Sequence, residues 1–252
     1  MNTNSVKAKL KQGEVVVGSF LNIPSAKLAE IAALCGFDFV AIDQEHGPIA
    51  IDVVEDMVRA IELQNAVPIV RVPSLEAHMI LHALDAGAMG LHIPNVNTAD
   101  DARRAVRFSK YAPAGDRGLA AVRAARYGMR ERLADYCRQS NEETMVIVHV
   151  ESLEAVNNLD DMLAVEGVDV YFVGPSDLSS SLGHPGVFDA AHKKVVDDTI
   201  RRIVRAGKVA GFIAPDAEGA RTYVDMGVRY LSNSTMQLMT SAAKTFLKAV
   251  KG

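Results

Sequence analysis

Cysteine is scarce in this 252-residue chain: Cys35 and Cys137 are the two present, far apart and without metal-type spacing. A disulfide-stapled secreted scaffold and a cysteine zinc site are therefore both disfavoured, and free thiols in a cytoplasmic protein are the expectation. No apolar run approaches the length of a membrane span, and the polar, basic stretch from Met1 to Lys11 lacks the apolar core of a signal peptide. Charge of one sign is lacking as well, with 27 Lys and Arg against 31 Asp and Glu and a net charge of -4. That balance gives nucleic acid or an anionic membrane no electrostatic hold. No Gly-x-Gly-x-x-Gly stretch and no P-loop occur, so a nucleotide site has no support. No lysine ends a strand core where a Schiff base would form, which argues against covalent imine chemistry.

What is present is a large apolar fraction, 49%, with 23% charged residues, enough for a sizeable core. Short apolar runs alternate with helical patterns throughout. Strand-like runs lie at 15–20, 39–43, 68–72, 90–94, 145–151, 169–177, 208–213 and 229–232. Helices are expected from Ser25 to Cys35, Ile51 to Leu63, Leu75 to Ala86, Thr98 to Ser109, Asp216 to Met226 and Thr235 to Val250, with another pattern after Glu151. Eight β-then-α units in a chain of this length predict a single-domain (β/α)8 barrel over residues 1–252, with an open doubly wound sheet as the runner-up. Two segments exceed what a βα unit needs. Tyr111 to Asn141 is expected as a loop with a short helix near the barrel mouth, and Leu178 to Val187 as a loop at the same edge.

In such a barrel the chemistry lies at the C-terminal ends of the strands. The fifth run ends in Glu151 and the sixth in Asp177, and parallel neighbours bring those ends together. Two facing carboxylates repel unless a cation or proton sits between them. Each also has a plainer reading, Asp177 as a helix cap and Glu151 as a first-turn residue. A pair of carboxylates suits a hard cation that keeps its waters, Mg²⁺ or Mn²⁺, better than zinc. The second run stops at Asp43-Gln44-Glu45-His46-Gly47-Pro48, where His46 is either a solvated loop residue or an acid/base group. Arg71, within an apolar strand, must face a carboxylate or an anionic ligand. Asp85, on composition alone, is a surface residue near a helix C-terminus. Gly174-Pro175-Ser176 precedes a helix whose free amides can hold an anion. Arg117, Arg123 and Arg126 read as a solvated face or a second anion contact.

Taken in order, Gly36-Phe37-Asp38-Phe39-Val40, Asp43 through Pro48, Val70-Arg71-Val72-Pro73, Leu84-Asp85-Ala86-Gly87-Ala88, His92-Ile93-Pro94-Asn95-Val96, Pro113 through Gly118, Glu151, and Val173-Gly174-Pro175-Ser176-Asp177-Leu178 resemble the HpcH/HpaI aldolase/citrate lyase family over nearly the whole chain. The resemblance implies a class II pyruvate aldolase that needs Mg²⁺, Mn²⁺ or Co²⁺, acts on a small-molecule 2-oxo acid and an aldehyde, and assembles as a homohexamer, a trimer of dimers. It makes Glu151 and Asp177 the metal ligands, His46 the acid/base group and Asp85 the residue that raises its basicity. It makes Arg71 the stabiliser of the enolate oxygen and the backbone at Gly174, Pro175, Ser176 and Asp177 the seat of the pyruvate carboxylate. His149 stands where the family commonly has glutamine, and is expected to touch the substrate or to add a metal ligand. The competing expectations are oxaloacetate decarboxylation or a macrophomate synthase-like reaction from the same enolate, a CoA-thioester lyase without a visible adenine-diphosphate site, and a non-catalytic 2-oxo-acid-binding barrel.

Overall fold

The computed structural model describes residues 3–252; of the N-terminal stretch considered above, Met1 and Asn2 lie outside the described residues. Eight parallel strands close into a barrel in sequence order. They are β1 (Val16–Leu21), β2 (Phe39–Asp43), β3 (Val67–Arg71), β4 (Gly90–Ile93), β5 (Met145–Val150), β6 (Val170–Val173), β7 (Ala210–Ile213) and β8 (Tyr230–Ser234). The helices are α1 (Ser5–Lys11), α2 (Ala26–Leu34), α3 (Ile51–Leu63), α4 (Ala77–Asp85), α5 (Ala99–Ser109), α6 (Leu133–Glu143), α7 (Leu153–Asn157), α8 (Leu159–Leu163), α9 (Pro175–Ser181), α10 (Ala190–Arg205), α11 (Ala217–Met226) and α12 (Thr235–Lys251). The open-sheet alternative is excluded, because β1 pairs with β8.

Local chemistry explains the helices. Ser25 caps α2 by accepting from the Leu28 amide, and Thr98 with Asp101 forms a capping box on α5. Val54, Met57, Val58 and Ile61 recur at helical spacing on α3 and are fully buried against the sheet; each contributes about 1.5–3 kcal/mol by leaving water. Strand residues alternate between that outer layer and a second core inside the barrel, where Val16, Phe39, Ile69, Ile147, Phe172 and Tyr230 meet. α1 was not expected. Asn4 caps it, and Val6 and Leu10 plug the floor of the inner core.

Two expectations are corrected by the direction of the helices. The two ends of the 110–144 segment lie at the barrel floor, opposite the mouth, because α5 runs back to the N-terminal edge of the sheet before it begins, and its middle lies along α3. Lys110 Nζ accordingly donates to the carbonyl of Thr144, the residue before β5. The sixth apolar run also ends earlier than its composition suggests. β6 stops at Val173, and Pro175 opens α9, so Asp177 is a first-turn residue of that helix. The segment from Leu178 is correspondingly helical as far as Ser181 before it turns. α12 has no buried residue, and its Phe246 and Val250 are each 68% exposed. Among the described residues no helix is long and apolar enough to cross a membrane.

Candidate active site

The C-terminal ends of the strands enclose a cavity of about 270 Å³. Phe20, Asn22, Asp43, His46, Arg71, His149, Glu151, Phe172, Ser176, Asp177 and Ser234 are among its lining residues. A larger groove of about 510 Å³ lies beside it, lined by Phe188, by Phe212 of β7, and by residues of α10 and α11 that include His192 and Tyr223. That groove is lined by no carboxylate, whereas the smaller cavity gathers Asp43, Glu151 and Asp177.

One wall is built around Arg71. The register of β2 and β3 places Asp43 directly beside it, and the guanidinium grips the carboxylate at both ends, Nε to Oδ1 at 2.8 Å and Nη2 to Oδ2 at 2.6 Å. Nη1 lies 3.2 Å from Glu45 Oε2, and the Phe20 ring supports the guanidinium from below at 4.9 Å. Burial alone would push the Asp43 carboxyl up, but Arg71 outweighs it and holds the group below its ordinary value. At Glu45 burial prevails, and Glu151 adds repulsion, so this carboxyl is raised despite Arg71. Asp43 Oδ1 also accepts the amides of Glu45 and His46, which turns the chain sharply at the strand end. A side chain at Gly47 would meet the Asp43 carbonyl at 2.4 Å, so the turn requires glycine. The His46 side chain, 56% exposed, stands at the mouth with Nε2 3.9 Å from Glu45 Oε2.

The other wall is built around Glu151, which is 5% exposed. Its Oε1 accepts the backbone N–H of Asn95 at 2.8 Å, a residue held at φ +56° where β4 ends. Its Oε2 meets His149 Nδ1 at 2.9 Å. Burial pushes this carboxyl up, yet His149, the Asn95 amide and Arg71 together bring it below its ordinary value. Gly174 closes behind it: an added Cβ would lie 2.9 Å from both Glu151 Cβ and Oε2. Asp177 lines the same cavity from the first turn of α9.

The residues of this cavity are joined by a match to the HpcH/HpaI aldolase/citrate lyase description over residues 17–237. The chain belongs to that family. It is 39% identical over 246 residues to the 2-keto-3-deoxy-L-rhamnonate aldolase of Escherichia coli O157:H7, covering 96% of this chain and 90% of the relative. A family protein from Burkholderia cenocepacia J2315 superposes with a TM-score of 0.93 at 36% identity, covering 99% of this chain and all of the other. An HpcH/HpaI aldolase from Desulfitobacterium hafniense DCB-2 gives 0.90 at 29% identity, covering 97% and 96%. As a member of this aldolase family the chain is an enzyme of the carbon–carbon lyase class.

Of the family positions read from the sequence, His46, Arg71, His149, Glu151, Gly174, Pro175, Ser176 and Asp177 meet around one cavity. Asp85 does not. It ends α4 at the barrel floor, where its Oδ1 accepts from Nη2 of the buried Arg117 at 2.9 Å. The physical reason is again helix direction, since α4 carries the chain away from the mouth. Arg117 and Arg123 are thus not a solvated face: they pair with Asp85 and Glu62. His149 was expected to offer a nitrogen to substrate or metal. Both its nitrogens are engaged, Nδ1 by Glu151 and Nε2 by His92 at 2.9 Å, so it presents only its ring to the cavity. The sequence reading assigned no role to Asn95 or Glu45, although both stand at strand ends beside the motifs it used. The donor set suits a hard divalent cation: of the three carboxylates on the cavity Asp43 is taken by Arg71, which leaves Glu151, aligned by N–H donors, and Asp177, with room for water. No group of three or more His, Cys, Asp or Glu that could hold a metal occurs among the described residues.

Proposed function

We propose that this protein is a class II aldolase that cleaves a 4-hydroxy-2-oxo acid, a 2-keto-3-deoxy sugar acid or a hydroxy-oxo-dioate, reversibly to pyruvate and an aldehyde. The observation that carries the reading is that Arg71, Glu151 and Asp177 line one cavity, with the Arg71 charge near enough to act on Glu151. Glu151 and Asp177 would hold Mg²⁺, Mn²⁺ or Co²⁺. When bound, such a cation supplies positive charge that polarises the 2-oxo group of the substrate.

The remaining work falls to the chain. Cleavage next to a 2-oxo acid leaves an enolate, and Arg71 is built to meet that charge where it develops. Asp43 and Glu45 take Nε, Nη2 and Nη1, which leaves one N–H on each terminal nitrogen for an oxyanion. The Asp43 clamp fixes the guanidinium before substrate arrives, so no reorganisation is needed during the reaction. The first-turn amides of α9 at Ser176 and Asp177 point out of the helix end and suit the substrate carboxylate. Pro175 at the first helical position gives up no donor there. His46, exposed at the mouth, takes the proton of the 4-hydroxyl directly or through water as the bond breaks, and Glu45 beside it is the neighbouring proton acceptor. His46 and Asp85 lie at opposite ends of the barrel, so any contact between them is a contact between copies. The apolar residues exposed on α12 support assembly of copies, and a hexameric, cytoplasmic, single-domain enzyme remains the proposal.

A screen for pyruvate release across a panel of 4-hydroxy-2-oxo acids, with added Mg²⁺, Mn²⁺ or Co²⁺, tests the reading. Turnover of at least one such acid is expected. Turnover of oxaloacetate alone would reassign the enzyme to decarboxylation, and calorimetric pyruvate binding with no turnover of any acid would reduce it to a binding protein.

A further inference from the structure

We infer that His192, on α10, is a positioning residue for Asp177, acting through the carbonyl of Pro175. The inference rests on the reading of Asp177 as a cation ligand.

Asp177 lies in the first turn of α9, a helix of seven residues whose start has no capping side chain. Gly174 at the N-cap has none to offer, so the turn must be held by other residues. His192 Nε2 lies 2.8 Å from the Pro175 carbonyl oxygen. A carbonyl only accepts, so the imidazole donates from Nε2 in its neutral and its charged form alike. One residue on, the Ser176 carbonyl accepts from Ser179 Oγ at 2.6 Å, and that hydroxyl oxygen accepts the Gly186 N–H at 2.9 Å.

The donor is itself fixed. His192 is 7% exposed, and the Phe188 ring packs edge-on against it at 5.2 Å. Its backbone N–H donates to Oδ1 of Asp189, the cap of α10. α10 in turn buries Val196, Ile200 and Ile203 in the outer core, which makes it a firm platform. Gly174, next to the braced carbonyl, packs so closely on Glu151 that an added Cβ would lie 2.9 Å from the Glu151 Cβ. Contacts to Glu151 and to His192 therefore fix the segment that carries Asp177, and with it the separation of the two carboxylates. His192 lines the larger groove and not the catalytic cavity, so it acts through Pro175 rather than on substrate. Residues that orient a metal ligand commonly change affinity about 10–100-fold when removed.

Mn²⁺ titration of protein freed of divalent cations, with hydrogen exchange of α9 before metal is added, reads the brace directly. His192→Phe and His192→Leu remove the donor with and without an aromatic ring, and His192→Gln returns an N–H near the Nε2 position. Both donorless variants should bind Mn²⁺ about tenfold more weakly or worse, and α9 should exchange faster in them than in wild type. His192→Gln should restore most of the affinity and the protection, a rescue that a packing role alone would not produce. Wild-type affinity in either donorless variant, alongside loss of binding in Asp177→Asn, would overturn the positioning role and leave the ligand intact. Equal weakening in all three His192 variants would overturn it as well, since the N–H would not be what counts. Unchanged Mn²⁺ binding in Asp177→Asn would instead remove Asp177 as a ligand, and the inference with it.

Discussion

Removing the guanidinium of Arg71 tests how far the active-site charge pattern is also structural. Arg71→Met leaves Asp43, 3% exposed, with its Oδ2 bereft of a partner that stood at 2.6 Å. Oδ1 keeps the amides of Glu45 and His46, both at a long 3.2 Å. Breaking a buried ion pair costs about 3–5 kcal/mol, and the two surviving amides place this case near about 3 kcal/mol. For a chain of this size that lowers the melting temperature by about 6–12 °C. Adding Asp43→Asn removes the stranded charge, so the double variant should regain at least half of the lost stability. Catalysis should not follow: kcat for pyruvate release should fall about 10²–10³-fold in the single and double variants alike, because the oxyanion donor is missing from both. Thermal unfolding and steady-state kinetics on the four proteins of the cycle measure both effects. Equal melting temperatures for Arg71→Met and the double variant would refute the clamp, and recovered activity in the double variant would refute the oxyanion role.

The depressed carboxyl of Asp43 contributes stability that is complete above the ordinary carboxylate range and is lost as pH falls below about 4 through the folded-state value. Denaturation midpoints between pH 6 and 3 should therefore drop, and less steeply in Asp43→Asn; equal slopes would contradict the linkage. Gly174→Ala places a methyl 2.9 Å from Glu151 Oε2 and should cut activity and Mn²⁺ affinity together while the circular dichroism spectrum stays native. Normal Mn²⁺ binding in that variant would show that the carboxylate tolerates displacement. Asp85→Ala strands Arg117, whose side chain is 1% exposed and whose Nε already lacks a partner, and should cost about 3–5 kcal/mol in urea unfolding. A fully stable Asp85→Ala would remove the structural role assigned to the pair.

The barrel was legible because the strands and most of the helices between them carry their own local signatures. Fully apolar runs such as Val146-Ile147-Val148 suit strands buried on both faces, and Ser25 and Thr98 announce their helices. Those same apolar runs conceal which residues point inward. Ile69 faces the barrel interior and Val70 the helices, yet the two are chemically alike. The reach of β6 was overestimated for a related reason: Gly174 and Pro175 extend the run in one dimension, while Pro175 is better suited to starting a helix. Arg71 was understood as needing a partner, and its register neighbour Asp43 supplies one. Asp85 was rightly read as lying near a helix C-terminus, but the sequence does not show that this end lies away from His46, beside Arg117. The links from His149 to His92 and on to Tyr230 join β5, β4 and β8, whose meeting depends on closure of the barrel.

The central claim, a cation-dependent aldol cleavage in the Glu151 and Asp177 cavity, is tested most directly by pyruvate release from 2-keto-3-deoxy-L-rhamnonate, the acid named for the Escherichia coli relative. Wild-type protein and Glu151→Gln are assayed as prepared, after EDTA, and after Mg²⁺ or Mn²⁺ is restored. Wild type should release pyruvate, lose the activity to EDTA and regain it with the metal, while Glu151→Gln stays inactive throughout. Pyruvate release that persists in excess EDTA, or that survives in Glu151→Gln, would contradict it.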